Sequence, residues 1–331
     1  MQCLQAFLCY NETQAEGRVM NRPRIVFMGT PEFACAILQT LLDGGYQVVA
    51  AVSQPDRPVG RKMILKKTPV HELADRFQIP VLQPEHLRRD YQAVLDAKPD
   101  LIVTCAYGQM VPDEVLAAPA LGCINVHASL LPKYRGGAPI QHAIMAGEKV
   151  TGVTIMQMVH AMDAGKMYAR TEVAIGPDET VDELTPRLMQ AGSKLLQEQL
   201  PAYLEGTLKG TVQDEAQVTI ARNISKEEEQ IHFASEPLLQ LYDHVRGLTS
   251  WPGSYGMLAG KRIKFFRTRK REEACGEAPG TVLGFQNHAM QIACRGGVLE
   301  VYELQPEGKG RMDADSFHNG LGRSEIGKVF D

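Results

Sequence analysis

Arg24-Ile25-Val26-Phe27-Met28-Gly29-Thr30-Pro31-Glu32-Phe33 reads as a strand, a turn and the start of a helix. Ile25–Met28 is a run of β-branched and apolar residues, the composition of a strand. Gly29 turns the chain, Thr30 is placed to cap the helix, Pro31 suits its first position and Glu32 faces its positive end. The helix should stop at Gly44-Gly45. A dinucleotide site at such a turn needs G-x-G-x-x-G, so that the pyrophosphate can approach the backbone. Here only Gly29 is present, and Pro31 and Phe33 would crowd a diphosphate. A nicotinamide-dependent oxidoreductase is therefore disfavoured.

Outward from this turn, strands and helical patterns alternate. Val48–Val52 reads as a second strand, a helix is expected around Glu85–Ala97, and Pro99-Asp100 leads into a strand at Ile102–Cys105. Cys123–His127, Thr151–Val159 and Met167–Val173 follow as strands, and Thr180–Leu204 carries a long helical pattern ending at Gly206. This alternation is the pattern of an α/β, Rossmann-like domain with a parallel-rich, doubly wound sheet. Polar, non-periodic residues make 207–224 a linker between a domain at 23–206 and another at 225–331. The second region has a short amphipathic helix at Leu238–Gly247 and strands expected at Tyr255–Leu258, Arg262–Arg267, Gly280–Phe285, Ala289–Cys294 and Gly297–Leu304. Short strands at such close spacing point to a small β-barrel.

With 44% hydrophobic and 22% charged residues, the chain has the composition of an ordinary globular protein. A net charge of −4 argues against wholesale nucleic-acid binding, so any RNA contact must use local basic patches. Seven scattered cysteines without a CxxC pair, and nine histidines without HxxxH spacing, point to a reduced, cytoplasmic protein without structural metal. No apolar run approaches the roughly 20 residues needed to span a bilayer. Residues 1–22 lack the basic start and cleavage site of a signal peptide. They read as a disordered extension or, preferably, as an upstream start-codon assignment, because Met20 lies just before the first strand.

Two patches are basic. Ser53–Pro69 is long for a strand-to-helix loop and sets Arg57, Arg61, Lys62, Lys66 and Lys67 against one acid, Asp56. It is either a phosphate-backbone contact or a solvated, mobile loop. Lys261–Arg271 interleaves Lys261, Arg262 and Lys264 with aromatic residues. That run could grip and stack RNA, or Ile263 and Phe265 could be core residues with solvated neighbours.

The chemistry gathers around Asn125-Val126-His127. Strand alternation puts Asn125 and His127 on one face. Ser129-Leu130-Leu131-Pro132, Lys133, Arg135, Gly136, Gly137 and Pro139 follow, a composition suited to a loop whose backbone approaches a ligand closely. Asp163, in Asp163-Ala164-Gly165, either caps its own turn or orients the imidazole. In the second case His127 takes a proton from an amine while Asn125 donates to a developing oxyanion. The amine is itself the nucleophile: Ser129 lacks the G-x-S-x-G elbow, and Cys105 and Cys123 lie in apolar strands.

The chain resembles the methionyl-tRNA formyltransferases from Arg24 to the C-terminus. The motifs that carry the resemblance are IVFMGTPEFA, QPDRPVGR, PVLQPE, KPDLIVTCAYGQ, GCINVHASLLPKYRGGAPIQ, TGVTIMQM, MDAGKM and RGL..WPGSY. The resemblance implies a formyltransferase domain, a linker and a C-terminal oligonucleotide-binding-type barrel. It implies formyl transfer from N10 of 10-formyltetrahydrofolate to the amino group of methionine on initiator tRNA; a monomer is expected, and the cysteine and histidine spacing gives it no metal. It casts Asn125, His127 and Asp163 as the catalytic triad. Ser129, Leu130, Leu131 and Pro132, with Ala106, Tyr107, Gly108 and Gln109, would line the folate pocket. Arg61 and its neighbouring lysines would approach the acceptor end of the tRNA, and the basic run from Lys261 would contact it elsewhere. Formyltransferases acting on small amines, such as glycinamide ribonucleotide or an amino sugar nucleotide, share the triad and folate loop, so the acceptor rests on the basic loop and the C-terminal domain. Two departures stand out: Lys166 where the family commonly has Asp, and Thr249-Ser250 in place of Asn-Pro.

Overall fold

The computed structural model describes residues 22–60, 62–273 and 275–331. Strands β1 (Arg24–Gly29), β2 (Gln47–Val52), β3 (Arg57–Val59), β4 (Ile64–Lys66), β5 (Val81–Leu82), β6 (Leu101–Cys105), β7 (Cys123–His127), β8 (Val150–Gln157) and β9 (Met167–Ala174) belong to the N-terminal half. Seven of them form one sheet in the order β5-β2-β1-β6-β7-β8-β9. The strands from β5 to β7 run parallel, whereas β8 and β9 run antiparallel. Both faces of the sheet are covered. Ile25 and Phe27 enter one apolar cluster while Val26 and Met28 enter another, which explains why β1 is apolar without alternation.

Helices α1 (Glu32–Asp43), α2 (Pro69–Arg76), α3 (Gln92–Asp96), α4 (Asp113–Ala117), α5 (Pro139–Met145) and α6 (Val181–Leu204) flank the sheet. The longest, α6, starts at a capping box in which Thr180 and Glu183 satisfy each other's backbone N–H, a feature worth about 1 kcal/mol.

Several sequence expectations change. Thr30 does not cap α1. Pro31 is extended and the helix begins at Glu32, leaving the Thr30 hydroxyl to donate to Tyr107 O (2.9 Å) and accept from Gln54 N (3.2 Å). The helix expected over Glu85–Ala97 shrinks to Gln92–Asp96, because the Gln109 carboxamide takes the Leu87 N–H and holds the preceding residues in turns. The loop Ser53–Pro69 contains a hairpin, β3 paired with β4, rooted where Asp56 accepts from Thr68 N and Gln83 Nε2.

The C-terminal half adds α7 (Leu238–Gly247), β10 (Ser254–Leu258), β11 (Lys261–Phe265), β12 (Thr268–Arg271), β13 (Val282–Gln286), β14 (Ala289–Cys294), β15 (Gly297–Val301), β16 (Glu303–Pro306), β17 (Met312–Asp313) and α8 (Ala314–Asn319). The strands form two four-stranded antiparallel sheets, β10-β11-β16-β17 and β12-β15-β14-β13. The strand expected at Arg262–Arg267 stops at Phe265, and the one expected at Gly297–Leu304 breaks into β15 and β16, since the chain bends from one sheet to the other at Phe266-Arg267 and at Tyr302. The C-terminal residues Val329 and Phe330 bridge Thr281 and Leu258, closing the gap between the outer strands. Phe233, Phe265 and Phe330 fill the interior with ring centroids 5.1–6.0 Å apart.

Candidate active site

The parallel strands place their C-terminal ends along one edge, and the order of the sheet reverses between β1 and β6. In α/β sheets that crevice is where ligands bind. Ala106-Tyr107-Gly108-Gln109 follows β6 there, with Ala106 (φ 46°) and Gly108 (φ 91°) both left-handed and exposed on either side of buried Tyr107. The Tyr107 carbonyl receives Thr30 and the Gln54 amide, and the Gln109 side chain is spent on Leu87 N and Pro84 O. Gln109 therefore braces the crevice wall.

His127 ends β7 and is 6% exposed. Its Nε2 lies 2.9 Å from Tyr134 O. A carbonyl can only accept, so Nε2 carries the hydrogen in this arrangement and the neutral ring has its lone pair on Nδ1. Nδ1 faces Asp163 Oδ2 at 3.7 Å. Asn125, two residues earlier on the same face, accepts from Thr104 Oγ1 at 2.9 Å through its carbonyl, which turns its Nδ2 toward Asp163 Oδ1 at 3.5 Å. That last contact is at the long limit of a hydrogen bond and leaves the amide N–H free for a better acceptor.

Asp163 comes from the turn between β8 and β9 and has a left-handed backbone (φ 50°). Its Oδ2 accepts the Gly136 N–H at 2.9 Å. The structure thus brings Asn125, His127 and Asp163 together, as the sequence pattern expects, and adds Gly136 as the donor that holds the carboxylate. No group of three or more His, Cys, Asp or Glu side chains arranged to hold a metal is found among the described residues.

The glycine-rich loop departs from expectation. A Cβ on Gly136 would collide with Ala221 O, and one on Gly137 with the Asn223 side chain. The glycines admit the chain's own 207–224 segment, where a ligand was expected. That segment is no loose tether: Arg135 N donates to Thr219 O and Ala221 N returns a bond to Arg135 O. In the Ser129–Pro132 loop, Ser129 and Leu131 are fully buried. Ser129 Oγ donates to Lys133 O, while Thr154 Oγ1 donates to Ser129 O and receives Leu131 N. Only Leu130 is half-buried, so this loop shapes the site mainly through its backbone.

The basic residues are distributed unequally. Arg57 pairs with Glu85 and Lys67 with Asp75 at the hairpin base, whereas Lys62 and Lys66 make no ion pair among the described residues. Arg61 lies outside the described residues. The hairpin also exposes Met63, Ile64 and Leu65, each at 64–68%. On the C-terminal half, Lys261 is exposed and Arg262 stacks over Tyr255, but Lys264 donates to Pro252 O at 2.6 Å and is held as a strut. Lys166, beside the Asp163 turn, is exposed. Ser250 uses its hydroxyl to reach Asp182 on α6, so the Thr249-Ser250 departure contributes a bond between the two halves. Sequence reading missed Thr104, Tyr134, Gly136 as a donor and Gln213. The last is buried within a stretch whose polarity signalled solvent.

Comparisons with known proteins bear on the family and the fold. Residues 23–200 match the family model for formyl transferase, and residues 223–322 match the one for the formyl transferase C-terminal domain. A methionyl-tRNA formyltransferase from Bacillus velezensis is 47% identical over 300 residues, covering 90% of this chain and 94% of the relative. One from Bacillus cytotoxicus is 45% identical, covering 92% and 97%. Among solved structures, HypX from Aquifex aeolicus in complex with tetrahydrofolic acid superposes with a TM-score of 0.62 at 20% identity, covering 92% of this chain and 48% of HypX. An N-formyltransferase from Helicobacter canadensis, in complex with folinic acid and dTDP-3-aminofucose, gives 0.64 at 16% identity, covering 84% and 98%. The chain belongs to the methionyl-tRNA formyltransferase family.

Proposed function

We propose that the chain transfers a formyl group from N10 of 10-formyltetrahydrofolate to the α-amino group of methionine esterified to initiator tRNA, with His127 as general base. The observation that carries the reading is the fixed imidazole: Nε2 is tied to Tyr134 O and Nδ1 is aimed toward Asp163. The uncharged amine attacks the formyl carbon, and the carbonyl oxygen becomes an oxyanion within reach of Asn125 Nδ2. His127 Nδ1 takes a proton from the amine, and the adjacent carboxylate stabilises the imidazolium that results. The C–N10 bond then breaks, and the proton passes to N10 as tetrahydrofolate leaves. One C–N bond is made, one is broken and one proton moves, so no redox partner is required.

The folate would lie along 106–109 and 129–132, at the crevice between β1 and β6. Lys62, Lys66 and the apolar hairpin tip would meet the acceptor end of the tRNA, together with Arg61, the sequence neighbour of Lys62, with Arg57 and Lys67 near the hairpin root and Lys261 and Arg262 on the barrel. Lys264 supports Pro252 in this reading. The reaction belongs in the cytoplasm, the partners are initiator methionyl-tRNA and folate, and the chain acts as a monomer of two domains, 23–206 and 225–331. No described helix is long and apolar enough to cross a membrane. Formylation is to be assayed with methionyl-tRNA, glycinamide ribonucleotide and an amino sugar nucleotide side by side. Transfer to the charged tRNA is expected; transfer only to a small amine would end this reading.

A further inference from the structure

Resting on the formyl-transfer reading, we propose that Gln213 is a positioning residue that makes the catalytic carboxylate dependent on the segment joining the two halves of the chain. Gln213 is 5% exposed, although it lies in a polar, non-periodic stretch. Its Nε2 donates to Asp163 O at 2.7 Å and to Gly165 O at 2.8 Å. Its Oε1 accepts from Arg135 Nε at 3.0 Å. Both amide hydrogens and the carbonyl are therefore engaged, and one carboxamide ties together the Asp163 turn, the loop after β7 and the 207–224 segment.

The turn it holds needs a restraint. Asp163 adopts φ 50°, a conformation that a non-glycine residue keeps only when its surroundings impose it. Gly165, two residues on, lies so close to Gln157 O that a Cβ there would collide with it. The turn is thus pressed against β8 on one side and pinned through its carbonyls on the other.

The remaining contacts complete a closed circuit. Arg135, which Gln213 holds through Nε, pairs with Glu215 through its other nitrogens at 2.7 and 3.3 Å. The residue after it, Gly136, gives its N–H to Asp163 Oδ2. Asp163 is thus held at two points: its main-chain carbonyl by Gln213, and its carboxylate by Gly136, the neighbour of the Arg135 whose side chain Gln213 also holds. Met167, at the start of β9, exchanges two backbone bonds with Thr211, so the same segment also clamps the strand that follows the turn.

The test compares Gln213→Ala, Gln213→Glu and wild type, each with and without Asp163→Asn, in steady-state formylation of methionyl-tRNA by 10-formyltetrahydrofolate. Gln213→Glu keeps an acceptor for Arg135 but removes both donors to the turn. Both Gln213 variants are expected to lose about 10- to 100-fold in kcat, the scale of a displaced catalytic group, with each KM within about threefold. In the Asp163→Asn background the further loss should fall below about threefold, since the two substitutions disable one element. Full activity of Gln213→Glu with loss in Gln213→Ala would assign the residue to Arg135 alone and overturn the proposal. So would additive losses, which mark an independent structural role, and so would a rise in KM for the tRNA with kcat unchanged. Should Gln213→Ala fail to fold, Gln213→Glu and its double variant decide the matter alone. A wild-type enzyme that formylates only small amines would refute the acceptor assignment instead.

Discussion

The Asp163 turn and the basic hairpin lie on the same N-terminal half and are built in opposite ways. Asp163, His127 and Asn125 are held by bonds to Gly136, Tyr134 and Thr104, and none of the three side chains lies on an open surface. The β3–β4 hairpin has three residues in each strand, an exposed apolar tip and an anchor at Asp56. A proton transfer tolerates little displacement, and on the proposed function the first region uses these bonds to fix the three side chains while leaving His127 Nδ1 and Asn125 Nδ2 for the reacting groups. On the proposed function the second meets a large, irregular partner, which gains from adaptable contacts, and it keeps Lys62, Lys66 and its apolar tip uncommitted among the described residues. The proposed function thereby separates chemistry from acceptor choice.

Substitutions should reveal that separation in order of size. His127→Ala removes the proton acceptor and should lower kcat by about 10²- to 10⁴-fold, with folate affinity, read by isothermal titration, largely kept. Loss of folate binding would instead make His127 a ligand-positioning residue. Gly136→Ala comes next: φ 125° and the approach of Ala221 O leave no room for a methyl group. The expected cost is at least about 2 kcal/mol in urea-monitored unfolding, together with loss of turnover. An alanine variant as stable as wild type would show that the 207–224 segment is not packed as described.

Smaller effects belong to the hairpin. Replacing both Lys62 and Lys66 by Ala should reduce kcat/KM for methionyl-tRNA by about tenfold and flatten its salt dependence, without changing the unfolding midpoint. An unchanged salt slope would remove the hairpin from the tRNA contact. The smallest effect concerns pH. The Lys133 ammonium bonded to Glu148 holds that carboxyl below its ordinary value, with a further bond from Tyr134 Oη at 2.9 Å. The folded value is lowered, so the contribution is complete above the unfolded carboxyl pKa of about 4.3 and is lost as pH falls through the folded value. Glu148→Gln should flatten the fall in thermal midpoint below about pH 4.5, and an identical fall in both proteins would contradict it.

Most of the sheet was legible because its evidence is local. The apolar runs of β1, β2, β6 and β7 and the helical periodicity of α6 act within a few positions, and Asn125 and His127 share a face by strand geometry alone. What escaped depends on distant partners. Thr30 is claimed by Tyr107 and Gln54 across 77 and 24 positions, which no capping rule foresees. Arg135, Gly136 and Gly137 suggest a ligand loop, yet the glycines are there to admit Ala221 and Asn223. Gln213 is invisible in sequence because a polar residue in a polar stretch gives no sign of burial. Lys264 carries the charge of a nucleic-acid contact, but its reach to Pro252 O is settled only by the fold.

The most direct test follows formyl transfer to methionyl-tRNA and to methionine methyl ester, side by side, in wild type, His127→Ala and the Lys62/Lys66 double alanine variant. Separated chemistry and acceptor choice predict that His127→Ala slows both acceptors equally, whereas the double variant slows the tRNA alone. Equal slowing of both acceptors by the hairpin variant would contradict the account.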